Sequence, residues 1–185
     1  MPCWSRLPFT LSAPTSTSEL QEAPCSPPAL NSGEAKLIWD LRAFWQSAHD
    51  TDAWRDVDLF VLRNPASGGL LLYRGSGFAP DFMVWLKRGG QQALALVDPK
   101  GLARQWPQDK LDLIDELEAR ELSLPVRGFL VSATPPDQMA LPPGVSADAA
   151  SLRSMRVLLQ TDPDHVRHLL TTLALSLPGA APASH

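Results

Sequence analysis

Cysteine is almost missing from this chain: Cys3 and Cys25 are the only two among 185 residues. That count excludes a disulfide framework and any zinc-ligand spacing, and it makes a reducing cytoplasm the expected compartment. No apolar run approaches the roughly 20 residues a membrane-spanning helix needs, so no membrane partner is expected. Excess positive charge is lacking too. The 16 Lys and Arg stand against 20 Asp and Glu, a net charge of −4, which gives no global attraction to nucleic acid. There is no G-x-x-x-x-G-K-[ST] loop, which excludes a P-loop motor carried by this chain, and no internal repeat.

What is present is enough apolar material for one core, at 44% hydrophobic and 19% charged. Residues 1–30 stand apart, with six prolines, five serines and three threonines. That composition predicts a disordered tail, or a start codon assigned too early. Pro8 interrupts its one apolar patch, against a signal peptide. The folded domain is expected over 31–177, with a flexible end at 178–185.

The most informative stretch is "GFAPDFMVWLKRGGQQALALVDPKGL", residues 77–102. Gly89-Gly90 between two apolar runs signals a hairpin, because two-residue turns need positive φ and glycine adopts it at little cost. Centring the turn there opposes Phe82 to Val97, Met83 to Leu96, Val84 to Ala95, Trp85 to Leu94 and Asp81 to Asp98. Both faces read apolar, so the strands are predicted to be central and covered on both sides. Opposed carboxylates repel. A proton or a cation must therefore sit between them, and crowded oxygen ligands suit Mg²⁺, with Mn²⁺ as the alternative. Lys100, two residues past Asp98, would project from the same face in extended geometry. An ammonium there suits metal-assisted phosphodiester hydrolysis.

"PDFMVWL" followed by "ALVDPKGL" resembles the PD-(D/E)xK nuclease signature. More narrowly, it resembles the C-terminal endonuclease domain of helicase-containing, type III-like restriction proteins. "LFVLRNPASGGLLLY" and "FLVSATPPDQM" resemble the flanking pieces, and the likeness runs from about Gly33 to about Leu175. It implies a restriction-endonuclease-like α/β core, a mixed sheet with helices on both faces. It also implies Asp81 and Asp98 as metal ligands and Lys100 as the catalytic lysine. Ala79 departs from the family, which often has an aromatic residue before Pro-Asp.

Upstream, "NSGEAKLIWDLRAFWQSAHD" has helical spacing of its apolar residues, and Glu34 lies in line with the buried stripe. Two readings stand: an additional active-site acid, as in the resembling family, or the N3 residue of a capping box opened by Asn31. Further elements are predicted as strands near Val57–Arg63 and Leu70–Arg74, and a helix over roughly Gln108 to Leu122. Strands are expected in "PVRGFLVSA" and "SMRVLLQ", and a last helix from Asp162, with Pro163 first, to before Pro178.

The remaining candidates are weaker. His165 and His168 read as a solvated helix face, as do Asp109, Asp112, Asp115, Glu116 and Glu118. Trp39, Trp45 and Trp85 fall in core patterns. Trp106 sits in a loop near Lys100 and Arg104, where it would contact substrate. Lys87, Arg88 and Arg104 are the cations expected to meet phosphates. The expectation is a Mg²⁺-dependent DNA endonuclease, in restriction or phage defence, working beside a separate helicase or methyltransferase partner. The alternative is a non-catalytic DNA-binding or assembly domain of the same fold.

Overall fold

The computed structural model describes residues 29–64, 69–72 and 78–177. The expected tail, except for residues 29 and 30, lies outside the described residues, as does the end at 178–185.

Helix α1, Ser32–Ala48, opens on a capping box: the Asn31 side chain accepts from the Glu34 backbone N–H at 2.9 Å. Its inner stripe is Leu37, Leu41, Trp45 and Ala48, spaced to fall on one face and all buried. Each fully buried leucine contributes about 1.5 to 3 kcal/mol, against about 1 kcal/mol for a cap. Packing rather than capping therefore holds this helix.

Strands β1 (Val57–Arg63), β2 (Phe82–Arg88) and β3 (Gln91–Pro99) form an antiparallel meander. The β2–β3 register is the one predicted, from Phe82 opposite Val97 to Arg88 opposite Gln91. Gly89 takes φ +57°, the left-handed conformation the turn requires. The chain then passes through helix α2 (Gln108–Glu118) to β4 (Val126–Ser132), and through α3 (Ala149–Ser154) to β5 (Val157–Leu159). β4 is parallel to β3 and β5 to β4, giving one mixed sheet in the order β1-β2-β3-β4-β5. Helix α4, His165–Leu175, closes the fold. Among the described residues no helix is long and apolar enough to cross a membrane.

Two cores result. α1 and α4 pack on one face over Val84, Ala95, Val97, Phe129 and Leu158. α2 and α3 pack on the other over Leu130, Val157 and Leu159. The approach of α2 to β4 is close enough that a Cβ on Gly128 would lie 2.6 Å from two carbons of Ile114.

Several expectations need correction. β2 is not covered on both sides: Met83 and Trp85 are only half-buried, and beside them on β1 Phe60 is 43% exposed. Among the described residues, the helices of that face lie over β4 and β5 instead. A strand at Leu70–Arg74 is not found; Leu72 forms one isolated bridge to Phe78, and residues 73 and 74 are not described. Trp39 is 64% exposed, not core. His165 is buried between Asp162, whose carbonyl lies 2.7 Å from Nδ1, and Asp40, 3.3 Å from Nε2. Glu118 is not solvated either: its side chain is only 6% exposed. Its carboxylate accepts from the Gly128 N–H at 2.9 Å and from Arg156 at 2.6 Å, with Arg127 at 3.3 Å.

Candidate active site

Because β2 alone runs against the other strands, its first residue shares a rim with the last residues of β1, β3, β4 and β5. Ligands of open sheets collect outside the carboxyl ends of parallel strands. This rim carries Arg63 and Asn64 after β1, Asp81 before β2, Asp98 near the end of β3, Ser132 on β4 and Gln160 after β5.

Asp81 is fixed in place through its backbone. The Asn64 N–H donates to the Asp81 carbonyl at 2.8 Å, and the Asn64 side chain donates to the carbonyls of Pro80 and Leu70, both at 2.8 Å. The same side chain accepts from the Leu70 N–H at 2.7 Å. Asn64 is buried and fully used. The sequence signal for Asn64 is an amide residue directly after a strand that pairs with β2.

Asp98 extends the alternation of Leu94 and Leu96 and so faces the α2 side, where its side chain is buried. Across from it, Asp81 is half-buried, and its pKa is pushed up to about 6. Burial is the main cause. The charge of Asp98 and a hydrogen bond between the two carboxyls add to it, and Glu34 adds further repulsion. Lys110 acts in the opposite sense.

Of the two readings of Glu34, the capping box is observed directly. Glu34 completes the box, with Oε1 accepting from Asn31 Nδ2 at 2.8 Å, and it lies near enough to Asp81 to raise that acid's pKa. Its Oε2 pairs with Arg63 at 2.9 Å. Gln160, buried at the end of β5, holds the same helix turn by donating from Nε2 to the Gly33 carbonyl at 2.8 Å.

Lys100 does not join the acids. β3 ends at Pro99, the Lys100 N–H donates to the Val131 carbonyl at 2.8 Å, and the chain turns to bury Leu102. The extended geometry that would project Lys100 beside Asp98 therefore stops one residue short. Its side chain is exposed and forms no ion pair among the described residues. Asp98 is paired instead with Lys110, from the first turn of α2: Nζ lies 2.5 Å from Oδ2 and 4.8 Å from the centre of the Phe78 ring.

The expected substrate contacts are divided between the two ends of the sheet. Lys87 and Arg88 sit at the hairpin tip, a seven-residue strand or roughly 20 Å from Asp81. Arg88 is engaged there by Asp56 at 3.3 Å and by the Ala53 carbonyl at 2.9 Å. Arg104 is exposed in the segment joining the rim to α2, and Trp106 is half-buried against the α2-side core.

Among the described residues no group of three or more His, Cys, Asp and Glu side chains is gathered as a metal cage. What the rim offers is a pair of opposed carboxylates with a third acid nearby. Mg²⁺ typically takes one or two protein carboxylates and keeps several waters, so the pair fits it. No protein-family model, curated protein or solved structure matches this chain.

Proposed function

We propose that this chain is a metal-dependent endonuclease that hydrolyses DNA phosphodiester bonds, with a restriction-endonuclease-like core. The observation that carries the reading is the Asp81–Asp98 pair: two acids at one rim level of adjacent strands, one with its pKa pushed up to about 6 by burial and by the other's charge. A scaffold gains nothing from such a pair, since its repulsion weakens the sheet. The five-strand order, with only β2 reversed and helices on both faces, supports the same core.

In this reading Asp81 and Asp98 hold Mg²⁺, with Mn²⁺ as a substitute. When bound, the ion supplies an acidified water and withdraws charge from the phosphate. The chain's own residues set the geometry. Asn64 fixes Asp81, Arg63 and Gln160 fix the turn that carries Glu34, and Glu34 adds negative charge that favours a cation over a bare carboxylate pair. Arg104, exposed in the segment that leaves the rim, remains available to meet a phosphate, while Lys87 and Arg88 at the hairpin tip are too distant to serve. With so few contacts, binding to duplex DNA should be weak and salt-sensitive. A helicase or methyltransferase partner that raises effective concentration would then increase cleavage.

A second reading, a non-catalytic DNA-binding or assembly domain of this fold, is favoured by one observation: Lys110 already neutralises Asp98. The discriminating experiment is nicking of supercoiled plasmid with Mg²⁺ or Mn²⁺, by the wild type and by Asp98→Ala purified in parallel. Metal-dependent nicking lost in the variant supports the nuclease. Equal nicking by both, or none by either, leaves the assembly domain.

A further inference from the structure

We propose that Lys110, reaching the rim from α2, is the lysine of this site, in place of Lys100 on the strand. The inference rests on the nuclease reading above and concerns which side chain serves the water.

Three observations carry it. First, Lys110 Nζ lies 2.5 Å from Asp98 Oδ2, whereas Lys100 leaves the sheet and points to solvent. Second, the ammonium is held from a second side by the Phe78 ring, a fully buried aromatic just ahead of Pro80 and Asp81. A cation over an aromatic face within about 6 Å is attracted to it, which restricts a long and otherwise mobile side chain. Third, the backbone delivers it: Lys110 stands in the first turn of α2, its N–H bonded to the Pro107 carbonyl at 3.0 Å. The segment from Pro99 to Pro107 leads directly from the rim to that turn.

An ammonium has three donors. Asp98 uses one, and two remain for a water oxygen and a non-bridging phosphate oxygen. Hydrolysis joins the water oxygen to phosphorus and breaks one P–O ester bond. The leaving oxygen gains a proton and the water loses one, with solvent as carrier. Lys110 neither gains nor loses a proton in this scheme. It orients the water and offsets the charge that grows on the phosphate.

The test is single-turnover plasmid cleavage by wild type, Lys110→Met, Lys110→Arg and Lys100→Met, together with Mn²⁺ binding by calorimetry and thermal melting of each. We expect Lys100→Met to remain within about threefold of wild type. Lys110→Met should fall by about 100-fold or more, the scale for losing one donor aimed at developing charge. Its Mn²⁺ affinity should be unchanged or higher, since an ammonium competing for Asp98 is gone. Lys110→Arg, which keeps charge but differs in shape, should recover part of the rate.

Loss in Lys100→Met with cleavage retained in Lys110→Met would overturn the inference and leave the nuclease reading intact. A parallel fall of melting temperature, Mn²⁺ affinity and rate in Lys110→Met, without recovery in Lys110→Arg, would make Lys110 a structural counter-ion and also overturn it. A wild type that never cleaves removes the nuclease reading itself, and the inference with it.

Discussion

Asp81 faces Asp98 at the rim ends of β2 and β3, and burial together with the charge of Asp98 makes Asp81 hold a proton more readily than a free carboxyl does. The folded pKa of Asp81, about 6, lies above its unfolded value of about 3.9. Its contribution to stability is therefore complete below about pH 4 and is lost as pH rises through 6. Metal-free protein should gain about 1 kcal/mol from this group between pH 7.5 and pH 5, a figure reduced for the acid's partial exposure. His168 acts in the opposite sense: burial and the nearby Arg153 lower its pKa, so acidification below about 6.5 costs stability. The measurement is urea unfolding at both pH values for wild type and Asp81→Asn. Asp81→Asn should be the more stable at pH 7.5, and the gap should close at pH 5.

Asp98→Ala should lose metal-dependent cleavage by about 100-fold or more while the fold persists. Lys110 is 24% exposed and can swing to water once its partner is gone, so no buried charge is stranded. The melting temperature should stay within a few degrees of wild type. A collapse of the melt would mean that the pair is structural.

Gly128→Ala should be destabilising by about 1 to 3 kcal/mol, the usual range for overpacking. The added methyl meets Ile114 at its Cγ1 and Cγ2 carbons, not at the end of a flexible chain. Combining it with Ile114→Ala should give less loss than the sum of the two single variants, as a double-mutant cycle of melts would show.

Glu118→Ala should cost about 2 kcal/mol or more, because it leaves Arg127, Arg156 and the Gly128 N–H without their shared acceptor. The two arginines are about a third exposed, which keeps the loss below that of a fully buried triad. Cleavage should be little affected, since this cluster joins the end of α2 to the starts of β4 and β5, away from the acids.

The hairpin was legible because its turn is local. A Gly-Gly pair fixes the register, and the register alone sets Asp81 against Asp98. Glu34 was half legible, since the spacing that makes a capping box also places a side chain at the inner start of a helix. Lys110 was not. Its meeting with Asp98 depends on how a loop carries α2 back over the sheet, and nothing in its spacing among Asp109, Asp112 and Asp115 marks it out. Glu118 was misread for the same reason, because its partners come from β4 and from Arg156, which adopts φ +64° beyond α3. Lys100 failed by one residue: extended spacing predicts the same side as Asp98 only while the strand continues, and β3 stops at Pro99.

The bond from Gln160 to Gly33 joins positions 127 residues apart, so the two ends of the domain meet at the rim. Synthesis proceeds from the N-terminus, and contacts this distant in sequence are slow to form. Glu34, Asp81, Asp98 and Lys110 all leave the ribosome before β5 does. A chain stopped after Leu159 would hold every one of these side chains without the residue that pins the first turn of α1 to the sheet. Amide exchange in that turn should then be faster than in the full chain. Completion of the site waits on residues translated after all of its acids, and a copy stopped at Leu159 carries those acids without the Gln160 bond.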